Sequence, residues 1–331
     1  MSEKSYIPPY QITDTVIHLI AEISEQVGVV AIKSEAAANP LLRKDNQIKT
    51  IHSSLAIENN SLSLEQVTDV INGKRILGAP NEIREVKNAY EAYKLLLSMN
   101  PFDVSDLLKA HKLLMSDLTK EAGRFRSGGV GVFAGEKLIH MAPPSNIVPK
   151  LMSDLFTWVQ TTTAHPLIKS SVFHYEFEFI HPFSDGNGRM GRMWQTLLLS
   201  QWKPVFGWLP VETLIRERQN EYYEMLAVAD KAANSTAFVE FMLTIIRDAL
   251  REMIQTEQVR EQVTEQVKRL LSALGNETLS AKELLERLEL KHRPTFSNNY
   301  LHPALKLGLI EMTVPGKPNS SRQRYRAIKK G

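Results

Sequence analysis

Eight stretches of the chain repeat their apolar residues every three or four positions: 16–32, 86–97, 105–118, 148–160, 170–180, 189–201, 216–229 and 236–255. That spacing lines the apolar side chains along one face of an α-helix, so residues up to about 255 are constrained to a helical body. One stretch departs from the pattern. At 128–141, Gly128 and Gly129, the alternating Val130 and Val132, the turn pair Gly135-Glu136 and the segment Leu138 to His140 fit two short strands about a turn. The expectation is therefore mainly α, with a β-hairpin set on helices. A length of 331 residues, at roughly 150 per domain, allows two domains or one large domain with a small one appended.

The charge divides the chain more sharply than its length does. Net charge is only +3, yet residues 258–331 hold 14 Lys and Arg against 7 Asp and Glu, leaving +7 there and −4 over 1–257. This basic tail is a separate electrostatic object. Its pattern predicts helices at 263–274 and 280–288, a turn at Arg293-Pro294, a third helical stretch through Leu307, and strands at 310–314 and 324–328 around Pro315-Gly316-Lys317-Pro318-Asn319. Ser280 followed by Glu283 forms a capping box. Three helices and a two-stranded wing make a small winged helix-turn-helix, joined to the body by the polar helix 257–266. Asn298, Asn299, His302 and Lys306 would face a DNA groove, with Arg322, Arg324 and Arg326 near phosphates. Pro303 interrupts that recognition helix, and winged helices also contact proteins, so DNA and protein partners both stay open.

Several classes are excluded. The chain has no cysteine, which removes disulfides, thiol nucleophiles and thiolate metal sites and fits a reducing compartment. The longest unbroken apolar run, Met225 to Ala229, falls far short of the ~20 residues that cross a bilayer. At the N-terminus, Ile7-Pro8-Pro9-Tyr10 leads into a helical pattern with Asp14, Glu22 and Glu25 rather than an apolar signal core. A cytoplasmic protein without membrane contact is expected.

The chemistry is concentrated in His181-Pro182-Phe183-Ser184-Asp185-Gly186-Asn187-Gly188-Arg189-Met190-Gly191-Arg192. Pro182 disfavours α-geometry at His181 and ends one helix, and a new helix begins near Gly188 with Met193, Trp194, Leu197 and Leu198 inward. The segment is thus a tight loop feeding a helix N-terminus. Gly186 and Gly188 permit close backbone approach, and exposed amides at the positive helix end form an anion site suited to phosphate. Arg189 and Arg192 share a helix face and can clamp further phosphate oxygens. Asp185 supplies the hard oxygen that a phosphate-bound Mg²⁺ prefers. His181 remains as the group that titrates near neutral pH. Turn chemistry alone explains Asp-Gly-Asn-Gly, but it requires neither the histidine at the entrance nor two arginines at helical spacing.

These residues resemble the Fic signature H-x-F-x-(D/E)-G-N-G-R-x-x-R, with every defined position filled by His181, Phe183, Asp185, Gly186, Asn187, Gly188, Arg189 and Arg192. The resemblance implies a helical Fic fold and a nucleotidyltransferase that moves AMP from ATP to a protein hydroxyl. It also implies roles. His181 deprotonates the Tyr, Thr or Ser hydroxyl of the target; Asp185 holds Mg²⁺; Asn187 and the Gly186 to Gly188 amides grip the α-phosphate; Arg189 and Arg192 hold the outer phosphates. The hairpin 131–141, preceded by Gly123-Arg124-Phe125-Arg126 and followed by Pro143-Pro144, is similar to the family's flap. There Gly131, Val132, Leu138, Ile139 and His140 would line up the target's backbone by strand addition. Tyr222, Tyr223 and Asp230 fall where the family places its adenine pocket, although buried tyrosines at helical spacing also serve simply as core.

One carboxylate stands on the wrong face. Ile48, Ile51 and Leu55 mark an apolar stripe, and Glu58 continues it. Burying it unpaired costs several kcal/mol, so it is either frayed into solvent at the helix end or paired with a cation. Ser54-Leu55-Ala56-Ile57-Glu58-Asn59 resembles the (S/T)-x-x-x-E-(G/N) motif of autoinhibited Fic proteins, which implies that Glu58 meets Arg192 and that Ser54, one turn earlier, steadies the helix. The layout then reads as an N-terminal helical region at 1–100 carrying the inhibitory helix at about 47–59, a catalytic core at 101–255 and a winged-helix domain at 256–331. Other readings remain: a DNA-binding regulator whose Fic body senses nucleotide, a de-AMPylase, or an enzyme transferring another phosphate-containing group. Assembly as a homo-oligomer is also left open.

Overall fold

The computed structural model describes residues 6–32, 40–134, 137–275, 277–317 and 320–328, of which 31–32, 40–42, 132–134, 137–140 and 257–264 are described by backbone alone. The chain forms two compact units, Met1–Met253 and Ile254–Gly331. In chain order the first contains α1 (Asp14–Ile32), α2 (Pro40–Ile57), α3 (Leu64–Ile71), α4 (Pro80–Leu96), α5 (Val104–Leu114), the strands β1 (Gly131–Ala134) and β2 (Lys137–Met141), α6 (Val148–Thr161), α7 (Pro166–Ile180), α8 (Asn187–Trp202), α9 (Val211–Glu217), α10 (Gln219–Ala232) and the start of α11 (Thr236–Leu274). Among the described residues, no helix is long and apolar enough to cross a membrane.

At the centre of the first unit lie α7 and α8. Both are buried on nearly every face, although α8 buries Asn187, Arg189, Arg192 and Gln195 along with its apolar residues. Phe173, Phe177, Phe183, Met190, Met193, Trp194 and Leu197 are fully buried in one continuous core. The loop between these two helices carries the signature, so the site is built on the least deformable part of the unit. The stripe Ile48, Ile51 and Leu55 is buried as expected, and α2 packs it against the same core. β1 and β2 pair antiparallel, Gly131 opposite Met141 and Val132 opposite His140, with an irregularity between Val132 and Phe133. The side chains of Val132, Leu138, Ile139 and His140, assigned above to target binding, lie outside the described residues.

Elements differ from expectation for identifiable reasons. The helix expected at 216–229 is split at Arg218, which leaves helical geometry while its guanidinium binds Asp248 at 2.7 Å. The helix expected at 105–118 stops at Leu114, where Asn88 Nδ2 donates to the carbonyls of Leu114 and Ser116 at 3.2 and 2.7 Å. Short α3 and α9 span too few turns to register as a period.

The second unit contains the end of α11, then β3 (Leu279–Ser280), α12 (Ala281–Arg287), α13 (Arg293–Phe296), α14 (His302–Lys306), β4 (Ile310–Met312) and β5 (Arg324–Ala327). Leu270, Leu274, Leu284, Phe296 and Ile310 form its own core. The Ser280 and Glu283 capping box is present. Pro303 does not break the third helical stretch, because a π-turn at Ser297–Leu301 precedes it and absorbs the carbonyl that the ring would strike. The sheet has three antiparallel strands in the order β3-β5-β4 rather than two, β3 being too short to signal itself. Arg324 contacts Glu283 at 3.3 Å and Arg326 contacts Glu311 at 2.5 Å, so a phosphate would have to displace a carboxylate at either arginine.

Candidate active site

His181 closes α7 in the left-handed region, at φ 49° and ψ 61°, and not in the extended geometry that a following proline favours. The reason lies in Arg126, whose guanidinium collects the carbonyls at the end of α7: Nε donates to His181 O at 2.7 Å and Nη2 to Ile180 O at 3.3 Å. The His181 ring sets Nδ1 3.3 Å from Glu178 O. A carbonyl only accepts, so Nδ1 carries the proton and Nε2 is the basic nitrogen of the neutral ring.

The loop is closed from inside. Phe183 is buried and stacks on His111 with ring centroids 3.6 Å apart and planes 6° apart. Asn187 Oδ1 accepts from Phe183 N and Nδ2 donates to Phe183 O, both at 2.9 Å. In Asn187, which the resemblance assigns to the α-phosphate, the side chain thus staples the loop and the backbone amide is what remains for an anion. Gly186 caps α8 at φ 83°, and a side chain there would strike Met115. His111 accepts the Gly123 N–H on Nδ1 at 2.9 Å, so its Nε2–H donates to Asp185 O at 3.0 Å. Burial pushes the His111 ring down to about 4, which keeps it neutral in this role. The first intrahelical bond of α8 is Met190 N to Gly186 O, leaving the amides of Asn187, Gly188 and Arg189 at the positive helix end.

An anion already stands at that end, and it belongs to the chain. Glu58 follows the last residue of α2, and its Oε1 rests where a Cβ on Gly188 would be. Arg192 Nη2 donates to Glu58 Oε1 at 2.8 Å and to Ser54 O at 3.0 Å, while Nε donates to Ser54 Oγ at 3.2 Å. Ser54 therefore binds Arg192 itself, a more direct part than steadying the helix. Arg192 is 2% exposed. Burial alone would raise the Glu58 carboxyl, but the Arg192 guanidinium, with Arg189 and His181 behind it, outweighs that and holds it below the usual carboxylate range. Burial likewise works against the Arg192 cation, and Glu58 overcomes it, so the guanidinium is held above its ordinary value. Of the two alternatives for Glu58, fraying and pairing, the geometry is that of pairing.

Arg189 is engaged in the same manner. It donates to Asp185 Oδ1 at 2.8 Å and to Glu85 Oε1 at 3.2 Å. Glu85 Oε2 in turn accepts from Asn60 Nδ2 at 2.7 Å, and Asn60 stands two residues after Glu58. Glu85, Asn60, His111 and Arg126 were not assigned from sequence. Arg126 alone carried a signal, being quoted in the segment before the flap; the others look like ordinary helix and turn residues.

Next to these groups opens a cavity of about 130 Å³ lined by Glu58, Glu178, His181, Gly188, Arg192, Tyr222, Tyr223, Leu226 and Asp230 among others. It brings the proposed base, the anion site and all three adenine-pocket residues to one wall. Tyr222 is 1% exposed, and its hydroxyl lies 3.0 Å from His174 Nε2, so it serves as core and as lining together. Asp230 Oδ1 accepts from Tyr175 at 2.9 Å. Asp185 is the carboxylate beside the anion site. Both its hydrogen bonds end on Oδ1 and its side chain is more than half exposed. Among the described residues no group of three or more His, Cys, Asp or Glu could hold a metal by itself. That donor set fits Mg²⁺ carried in with phosphates, since Mg²⁺ binds through one or two carboxylates, waters and phosphate oxygens.

Comparison with known proteins gives matches on both units. Residues 101–199 match the Fic/DOC family, and residues 265–327 match the Filamentation induced by cAMP protein Fic-like, C-terminal domain. A protein adenylyltransferase Fic of Aedes aegypti is 30% identical over 227 residues, covering 64% of this chain and 43% of the relative. Protein adenylyltransferase fic-1 of Caenorhabditis elegans is 30% identical over 194 residues, 54% of this chain and 36% of that one. The chain thus spans about two fifths of the length of the curated relatives it matches. A crystal structure of a Fic family protein from Desulfovibrio desulfuricans is 56% identical over 98% of this chain and 99% of that chain, with a TM-score of 0.76. The Fic-1 structure from Caenorhabditis elegans, 21% identical with a TM-score of 0.58 over 74% of this chain and 75% of that one, is a likeness of fold.

Proposed function

Because this chain belongs to the Fic family, we propose that it is a protein adenylyltransferase, moving AMP from ATP to a hydroxyl of a target protein and of itself, and that Glu58 holds it inactive by occupying Arg192. The observation that carries the reading is the Glu58 carboxylate seated over Gly188 and bonded to Arg192 in the cavity that also holds His181.

The proposed reaction begins with Nε2 of His181 taking the proton of the target hydroxyl, whose oxygen attacks the α-phosphorus. A new phosphorus–oxygen bond forms, the bond between the α-phosphorus and its bridging oxygen to the β-phosphate breaks, and pyrophosphate leaves. The amides of Asn187 to Arg189 and the positive end of α8 hold the α-phosphate, while Arg192, released from Glu58, takes the outer phosphates. Mg²⁺ at Asp185 would neutralise charge on the departing pyrophosphate. The target backbone would pair with the edge of the hairpin, placing its hydroxyl toward His181. In this scheme residues 1–100 regulate, 101–255 catalyse and 256–331 form a winged-helix module for a macromolecular partner, in a cytoplasmic protein.

Incubating wild type and Glu58→Gly with α-labelled ATP, Mg²⁺ and cell lysate tests the proposal. Label transferred to protein by Glu58→Gly and only weakly by wild type supports it. No label on any protein, the enzyme included, sinks it.

A further inference from the structure

Among the described residues, Arg126 is a buried cation without a carboxylate partner. It is 3% exposed, and every hydrogen bond of its side chain ends on a backbone carbonyl: His181 at 2.7 Å, Gly128 at 2.8 Å, Pro143 at 2.5 Å and Ile180 at 3.3 Å. Its own N–H donates to Pro182 O at 2.9 Å. Burying a guanidinium without a counter-ion is costly. Carbonyl dipoles and the negative end of α7 are what offset that cost here.

The identity of those carbonyls gives the arrangement its meaning. Ile180 and His181 form the end of α7, where the basic histidine sits in left-handed geometry that a non-glycine residue does not favour. Gly128 precedes β1 by three residues and Pro143 follows β2 by two. One planar fork therefore ties both feet of the hairpin to the backbone of His181. Lysine, a point charge on a flexible stem, cannot bridge four carbonyls arranged around a fork.

We propose that Arg126 is a positioning residue that fixes His181 relative to the hairpin, and so sets the distance between the base and a hydroxyl delivered along the hairpin edge. This rests on the adenylyl-transfer reading above. A misplacement of about 1 Å between reacting groups can cost roughly 10²-fold in rate, and nothing in the Arg126 contacts touches the amides or arginines that would hold the nucleotide. Loss of Arg126 thus lowers kcat and leaves nucleotide affinity in place.

The test uses the full chain in the Glu58→Gly background with Arg126→Ala and Arg126→Lys. Both should transfer AMP about 10²-fold more slowly, with KM for ATP and calorimetric ATP affinity within about threefold of the parent. Added guanidinium ion should restore part of the Arg126→Ala rate, whereas sodium at equal ionic strength should not. Independently of any reaction, the His181 imidazole followed by NMR should titrate differently in Arg126→Ala and return toward the parent with guanidinium, while His111 stays as it was. If Arg126→Ala does not fold, Arg126→Lys carries the same measurements. Parent-like kcat in Arg126→Lys, a loss confined to KM for ATP, or an unchanged His181 titration overturns the proposal. Should the Glu58→Gly parent label no protein at all, the transfer reading falls, and the NMR titration with guanidinium rescue still decides the role of Arg126.

Discussion

Replacing Glu58 tests the resting state of the site through one ion pair whose worth can be bracketed. Arg192 is almost fully buried, whereas the Glu58 side chain is 31% exposed, so the pair lies between the surface and interior limits of effective dielectric. A hydrogen bond to a charged group contributes about 1.5–3 kcal/mol, and 1.4 kcal/mol is tenfold in an equilibrium. Removing the competitor should thus raise AMP transfer by about 10- to 100-fold. Two variants separate charge from space. Glu58→Gly removes both, while Glu58→Gln keeps an amide over Gly188 without the charge, so its activity should fall between wild type and Glu58→Gly. Ser54 still holds Arg192 through Oγ and the carbonyl, so the guanidinium stays in place for phosphate. Arg192→Ala should lower transfer even beside Glu58→Gly. Acid should not mimic the mutation: with the Glu58 carboxyl held below the usual range by Arg192 against the opposing effect of burial, the pair stays ionised down to pH 5. The ratio of Glu58→Gly to wild-type activity should be level from pH 5.5 to 8. Incorporation of α-labelled ATP into protein measures all of this. Equal activity of wild type and Glu58→Gly at saturating ATP, or a wild type that gains selectively toward pH 5, would refute the reasoning.

His181→Ala in the Glu58→Gly background should lower transfer by about 10²- to 10⁴-fold, the usual worth of a positioned base, with ATP affinity retained by calorimetry; parent-like transfer would remove His181 from that role. Asp185→Ala should shift the Mg²⁺ dependence of transfer to higher concentration, and an unchanged Mg²⁺ titration would show that this carboxylate holds no metal. The stability of the first unit should be nearly level between pH 4.5 and 6.5 and should fall below that. Burial pushes His111 down to about 4 and His174 to about 3 from 6.5, so their contribution is present above pH 6.5 and is lost as pH falls through the folded values. Burial pushes Glu176 and Glu212 up to about 7 from 4.5, a contribution present below pH 4.5 and lost as pH rises through about 7. The opposing slopes largely offset one another in the shared window, to which His52 and His165, also lowered by burial, and Glu252, raised by it, add slopes of both signs. All 4 tryptophans lie in the first unit, so their fluorescence during urea unfolding reads the midpoint, and a steady rise across pH 4.5 to 6.5 would count against the assignment.

What the sequence made legible is whatever is contiguous or periodic. The signature is twelve consecutive residues, a short loop running into the first turns of α8, and Glu58 was conspicuous because a charge interrupted the stripe of Ile48, Ile51 and Leu55. Its partner lies 134 positions away and came only from the resemblance. Arg126 shows why the rest stayed hidden. It looks like a turn cation, and it is buried because carbonyls from residues 128, 143, 180 and 181 converge on it. No local pattern encodes a convergence of separate segments. The same contact accounts for the particular geometry of His181: the proline rule ends the helix at Ile180, as it does, and the tertiary cap decides which non-helical conformation follows. Asn187 has a part that was hidden for a related reason: its side chain ties both ends of its amide to Phe183, a contact that residue type alone does not announce.

The two signature arginines connect these details. Arg189 and Arg192 are both buried, and a buried guanidinium left bare is costly, so a folded chain carrying this motif must supply acceptors for them when nucleotide is absent. Here it supplies Glu58 for Arg192, and Glu85 with Asp185 for Arg189. Nucleotide binding at such a site exchanges one anion for another, and much of the Coulomb energy cancels between the two states. The difference then rests on geometry, on how many amide and guanidinium donors a phosphate reaches that a carboxylate does not. Glu58 stands just past the end of α2 with its side chain 31% exposed, whereas Glu85 is also fixed by Asn60. The reversible competitor is therefore expected at Arg192, and the structural counter-ion at Arg189.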